Sequence, residues 1–216
     1  MSVGKSKLIL LGAGEFAEEA LDLVQEAGTF SVVCFVEGID RSRCAKQVAG
    51  IPVVWVEDVA KFDSSHSILC VVGSPKRRNL IAQVSSFGFE FVNFTHPSAR
   101  ISRTARMGKD VFVSNGVSIS TATVVGDHVI INRGALIGHH VLISSYVTIS
   151  PGANIGGGAH MGEGSTIGMG AIVLDHITIG SNSVVGAGAV VTKNVPTNVQ
   201  VVGIPAHITK TFPEQT

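Results

Sequence analysis

Residues 129–161 read VIINRGALIGHHVLISSYVTISPGANIGGGAHM, and every sixth residue is an aliphatic or methionine: Ile131, Ile137, Ile143, Ile149, Ile155 and Met161. The register continues without a break in both directions. It runs back through Val125, Ile119, Val113 and Met107 to Ile101, and on through Ile167, Val173, Ile179 and Val185 to Val191, stopping at Thr95 and Thr197. Two residues ahead of each aliphatic stands a small or β-branched residue, such as Val129, Ala135 or Val141; one residue after it, Gly, Ser or Asn dominates, as at Asn132, Gly138 and Ser144. A period of six is too short for a helical repeat, but it suits a short strand followed by a tight corner, each aliphatic pointing into a narrow interior. Three such sides close a triangular coil of about 18 residues that rises about 4.8 Å, so residues 99–195 are expected to wind roughly five coils.

The repeat also locates the bias in composition. Only 15% of the 216 residues are charged and 25 are glycine, whereas typical soluble domains carry about 25% charge. Residues 1–98 contain most of the aromatic side chains, while the glycines concentrate in 99–195. Sixteen basic and sixteen acidic residues cancel, so no global field draws the chain to nucleic acid or to an anionic membrane surface. No apolar run approaches the roughly 18 residues of a membrane span. The opening MSVGKSKLILLGAGEFAEEA turns acidic directly after its apolar stretch and reads as a first strand rather than a signal peptide. Three widely spaced cysteines, Cys34, Cys44 and Cys70, point to reduced thiols in a cytoplasmic protein.

The unbroken hexads resemble those of the hexapeptide-repeat acyltransferases. That resemblance implies a left-handed parallel β-helix, usually assembled as a homotrimer.

Ahead of the repeat the pattern alternates between strand and helix. Strands are expected at Lys7–Leu11, Ser31–Glu37, Pro52–Val56, Ser67–Val72 and Phe89–Phe94, with helices from GAGEFA (Gly12–Ala17) through about Ala27 and from Lys76 to about Ser86. This is a small Rossmann-like α/β domain. In G-x-G-x-x-A, Gly12 and Gly14 let backbone amides approach a phosphate at a helix N-terminus, where the dipole also favours an anion. Glu37, ending the second strand, is placed to accept hydrogen bonds from a ribose or base edge. Alone, these features also fit an NAD-binding oxidoreductase, or a tight turn with an exposed acid.

A Rossmann-like domain (1–98) joined to a β-helix (99–195) and a short tail (196–216) resembles the bacterial nucleotide-sugar acetyltransferases, the group of the bacillosamine-pathway UDP-amino-sugar N-acetyltransferases, also called the sialic acid O-acetyltransferase family. The resemblance implies acetyl-CoA as co-substrate, a UDP- or GDP-linked amino sugar as acceptor, and a role in surface-glycan biosynthesis. It places Gly14, Glu15, Phe16, Glu37 and Gly73 at the nucleotide. Acetyl transfer needs a base, and histidine suits that role near neutral pH. By the family pattern His139 is the general base, Asn132 lies near the sugar, and Thr148, Met169, Gly186, Ala187 and Gly188 contact the coenzyme. The residue after the base is commonly acidic in the family; here it is His140. His128, His160 and His176 read as solvated corner residues. No metal is expected: His140 and His176, two coils apart, stand about 9.6 Å from each other, too far to share a zinc. An O-acetyltransferase acting on a sugar hydroxyl and a non-catalytic scaffold remain as alternatives.

Overall fold

The computed structural model describes residues 6–63, 65–74 and 77–213. The chain divides into two compact units, Met1–His96 and Pro97–Thr216.

The first unit is a parallel sheet with a central strand, β1 (Ser6–Leu11), flanked by β2 (Phe30–Glu37) and β5 (Ser67–Cys70). Outside these lie β4 (Ile51–Trp55), next to β2, and β6 (Glu90–Phe91), next to β5, while β3 (Gln47–Val48) adds an antiparallel hairpin at the β4 edge. Leu8, Ile9, Leu10 and Leu11 are fully buried, as the middle strand of a sheet covered on both faces requires. Between β1 and β2 runs α1 (Glu15–Ala27), which buries Ala17, Ala20, Leu21 and Val24 at helical spacing; α2 (Arg77–Ser85) precedes β6. The chain steps outward from β1 through β2 to β4, then returns to the other side of β1 at β5. Such a reversal opens a crevice at the carboxyl ends of the strands.

Several expectations need correction. The fifth strand stops at Cys70 rather than Val72. The expected strand Phe89–Phe94 is two short pieces, Glu90–Phe91 and Phe94–Thr95. Two 3₁₀ segments, Arg41–Ala45 and Val56–Lys61, were not foreseen. The expected helix start at Lys76 and residues 214–216 of the tail lie outside the described residues.

In the second unit each hexad supplies a two-residue strand, and strands 18 residues apart pair in parallel: Ser118 with Leu136 and Ile119 with Ile137, for example. Three sheets result. The first face carries Phe112–Val113, Ile130–Ile131, Thr148–Ile149, Thr166–Ile167 and Val184–Val185; the second includes Ser118–Ile119, Leu136–Ile137, Asn154–Ile155 and Ile172–Val173; the third includes Val124–Val125, Leu142–Ile143 and His160–Met161. Every hexad aliphatic from Val113 to Val191 is at most 2% exposed. Burying each Ile or Val side chain stabilises the coil by about 1.5–3 kcal/mol. The tail joins the first face, with Val199–Val202 parallel to Val184–Val185 and His207–Thr211 antiparallel to it.

Candidate active site

In the first unit a cleft of about 520 Å³ opens at the carboxyl ends of β1, β2 and β5. It brings together all five predicted nucleotide-site residues, Gly14, Glu15, Phe16, Glu37 and Gly73. Gly12 holds φ +118°, and a Cβ there would lie 2.7 Å from Val72 Cγ2, so only glycine takes this turn. Gly14 is the N-cap of α1 and contributes no side-chain cap, leaving the helix N-terminus open at the cleft.

Glu37 lines the cleft but is not a free acceptor for a ribose or base edge. It is 3% exposed. Its Oε1 accepts from the backbone N–H groups of Gly38 (2.9 Å), Ile39 (2.7 Å) and Asp40 (3.2 Å), and its Oε2 accepts from Arg43 Nη1 at 3.1 Å. The carboxylate therefore folds the loop after β2 and orients Arg43. A Cβ on Gly38, the next residue, would meet Leu80 Cδ1 at 2.7 Å.

Arg43, which sequence reasoning missed, is half exposed and lines the cleft. Its Nη1 lies 3.6 Å from the point a Gly14 Cβ would occupy, so a guanidinium stands beside the glycine turn. Asp40 caps the 3₁₀ segment, accepting from Ser42 N–H (3.0 Å) and Ser42 Oγ (2.6 Å). These hydrogen bonds hold its carboxyl below the ordinary aspartate range. Lys46 joins Arg43 in an adjoining cavity of about 230 Å³. The run Asp40-Arg41-Ser42-Arg43 after a β2 acid was the available signal.

In the second unit the candidates fall on different edges of the triangular coil. His139 sits on the edge between the second and third faces, exposed, with Nδ1 3.1 Å from His140 Nδ1 and the two rings nearly perpendicular at 83°. Its imidazole rests against Gly157 of the next coil: a Cβ there would lie 2.7 Å from His139 Cε1 and 2.8 Å from Nε2. One coil further, Asp175 Oδ1 accepts from Gly157 N–H at 2.6 Å. His176 packs on Gly158, where a Cβ would lie 2.5 Å from its Nδ1. Gly158 thus stands between His140 and His176 in the stack, and the described residues hold no cluster of three or more His, Cys, Asp or Glu placed to bind a metal.

The edge between the first and second faces carries Asn132, Met169, Gly186, Ala187 and Gly188. Met169 is 60% exposed, and Gly188 N–H bonds to its carbonyl at 2.8 Å, so the coenzyme candidates at 169 and 186–188 are stacked neighbours. Asn132 Nδ2 donates to the Ile149 carbonyl at 3.0 Å, a bond between coils. Thr148 differs from the rest: it is on the first face and buried.

The third edge corrects the reading of His128 as a solvated corner residue. Its Nδ1 is 2.7 Å from Oδ2 of the buried Asp110, and its ring stacks on Tyr146 with centroids 4.9 Å apart. Asp110, His128 and Tyr146 follow at 18-residue intervals, and each takes a positive φ. His160 lies 3.2 Å from Ser144 Oγ.

Residues 158–193 match the bacterial transferase hexapeptide (six repeats) family. No curated protein sequence matches the chain significantly. Among solved structures, a histidine-to-asparagine variant of perosamine N-acetyltransferase from Caulobacter crescentus, in complex with CoA and GDP-perosamine, superposes with TM-score 0.86 at 29% identity, covering 97% of this chain and 98% of that one. The acetyltransferase domain of PglB from Neisseria gonorrhoeae, in complex with acetyl coenzyme A, matches with TM-score 0.87 and 30% identity over 95% of this chain and 100% of that domain. WeeI from Acinetobacter baumannii matches with TM-score 0.86 and 26% identity over 94% and 99%. With matches that run across both compact units and a hexad register unbroken through the second, the chain belongs to the hexapeptide-repeat acyltransferases, in the group of bacterial nucleotide-sugar acetyltransferases.

Proposed function

We propose that the protein transfers the acetyl group of acetyl-CoA to the amino group of a nucleotide-linked amino sugar. The observation that carries this reading is the full-length likeness to an enzyme crystallised with CoA and GDP-perosamine. In this reading the first unit is a Rossmann-like domain, consistent with its strand order β4-β2-β1-β5-β6 and its glycine turn at a helix N-terminus. That turn and Arg43 hold the diphosphate. The second unit is a left-handed β-helix that carries the chemistry.

His139 acts as the general base. As the sugar amine attacks the thioester carbonyl, a C–N bond forms, the amine proton passes to His139 Nε2, and the C–S bond breaks when the tetrahedral intermediate collapses. The leaving thiolate takes up a proton as CoA departs. Backbone N–H groups at the coil corners serve the oxyanion.

The active form in this reading is a cytoplasmic homotrimer. Within one chain the His139 edge and the Met169–Ala187 edge are separated by the whole second face, so a site that uses both needs a neighbouring copy. Leu136, Leu142 and Ile172, exposed by 47%, 49% and 39%, supply apolar surface beside His139 for that contact. Sedimentation equilibrium at three chain masses is the expected result; a monomer contradicts it.

The direct test of the reaction is thiol release from acetyl-CoA with UDP- and GDP-linked amino sugars and free sialic acids as acceptors. Release with a nucleotide amino sugar is expected. Release only with sialic acids would favour the O-acetyl alternative.

A further inference from the structure

We infer that His140 is a positioning residue that sets the tautomer of His139. This rests on His139 being the base. The two Nδ1 atoms are 3.1 Å apart, so one carries a proton and the other accepts it; both cannot be protonated in that contact. His139 takes a proton at Nε2 only if its own proton sits on Nδ1, which then donates to His140 Nδ1 while His140 keeps its proton on Nε2. When His139 becomes the imidazolium the same bond persists, because Nδ1 still donates.

The reverse arrangement disables the base. If His140 gains a second proton, its Nδ1–H donates to His139, whose remaining proton then occupies Nε2. A neutral acceptor thus does the orienting work of a carboxylate without its negative charge, and protonation of either ring stops catalysis. The groups stacked on this edge from the following coils are Asp175, whose carboxylate accepts from Gly157 N–H, and His176 on Gly158; from the preceding coil Thr121 contributes its carbonyl to His140 N–H.

The fold permits a clean test. His140 holds φ +57°, and Ala122, at the equivalent position one coil earlier, holds φ +56°. Alanine is therefore tolerated in this conformation, and asparagine adopts it readily. In the full-length enzyme, His140→Ala should lower kcat about 10-fold or more, with KM for both substrates within about twofold. His140→Asn, whose Oδ1 accepts from Nδ1–H, should recover most of that loss. His140→Asp should also restore kcat, with the acid limb of its pH–rate profile moved to higher pH because a carboxylate favours the imidazolium. Nitrogen-15 spectra of the imidazoles should show His139 protonated at Nδ1 in the wild type and a mixture of tautomers in His140→Ala.

Wild-type kcat, pH profile and tautomer in His140→Ala would overturn the inference, as would equal loss in all three variants. His139→Ala is measured alongside. If it turns over normally the base assignment itself falls; if it is inactive while His140→Ala is normal, only the role of His140 falls.

Discussion

Replacing Gly157 by alanine tests whether His139 must sit where the coil places it. The backbone of Gly157 is not in the left-handed region, so alanine fits its conformation, but the new Cβ would lie 2.7 Å from His139 Cε1 and 2.8 Å from Nε2, where ordinary contact is 3.4–4 Å. The imidazole must retreat by about 0.7 Å or swing aside. Because His139 is exposed, it can do so without disturbing the core, and stability should change by less than about 1 kcal/mol. Misplacing a reacting group by about 1 Å costs on the order of 100-fold. A fall in kcat of about 10- to 100-fold is therefore expected, about 1.4–2.7 kcal/mol in barrier, with KM for acetyl-CoA and acceptor little changed. Steady-state thiol release on Gly157→Ala, His139→Ala and the double variant measures it. Acting through His139, the Gly157 substitution should add nothing to His139→Ala. A kcat within twofold of wild type, or a double variant that loses the full further factor, would refute the reasoning.

Three other outcomes are expected. Arg43→Ala should raise KM for the nucleotide sugar by about 10-fold or more, from loss of a charged hydrogen bond worth about 1.5–3 kcal/mol, and leave KM for acetyl-CoA unchanged; titration calorimetry with the free nucleoside diphosphate checks the same contact. Burial pushes the Cys34 thiol from 9.0 up to about 12, so the unfolded chain ionises first: this contribution to stability is complete below pH 9 and is lost as pH rises from 9 towards 12, visible as a falling urea midpoint, whereas Cys34→Ala should flatten that part of the curve. Ile149→Ala, at a fully buried interior position, should cost about 2–5 kcal/mol in chemical denaturation, against near-neutrality for Val124→Ala at an outward, 42% exposed position.

The interior of the second unit could be read residue by residue because a coil of fixed length forces one aliphatic inward per side. The placement of His139 at an exposed corner follows from the same count. What the count omits is contact between coils. Asp110, His128 and Tyr146 form a column only when residues are compared at intervals of 18, and the imidazole of His139 lies on Gly157 for the same reason. Thr148 shows the limit on the outer surface: its strand position faces outward, yet it is 6% exposed, and nothing in the hexad pattern marks outward positions that become covered. In the first unit the glycine turn and the alternation of strands and helices were legible as local patterns, whereas the order of the strands in the sheet came from the structure. The role of Glu37 was not legible, since its partners are the amides of Gly38, Ile39 and Asp40 in the loop that leads into a 3₁₀ segment with no apolar periodicity. Arg43 was hidden by the same segment.

Acetyl transfer to an amine of a nucleotide-linked sugar has a product that can be identified directly. The most direct measurement is mass spectrometry and NMR of the acceptor after incubation of the purified enzyme with acetyl-CoA and a UDP- or GDP-linked amino sugar. The prediction is one N-acetylated sugar nucleotide formed for each CoA released, abolished in His139→Ala. Acetylation on a hydroxyl, or CoA release without an acetylated sugar nucleotide, would contradict it.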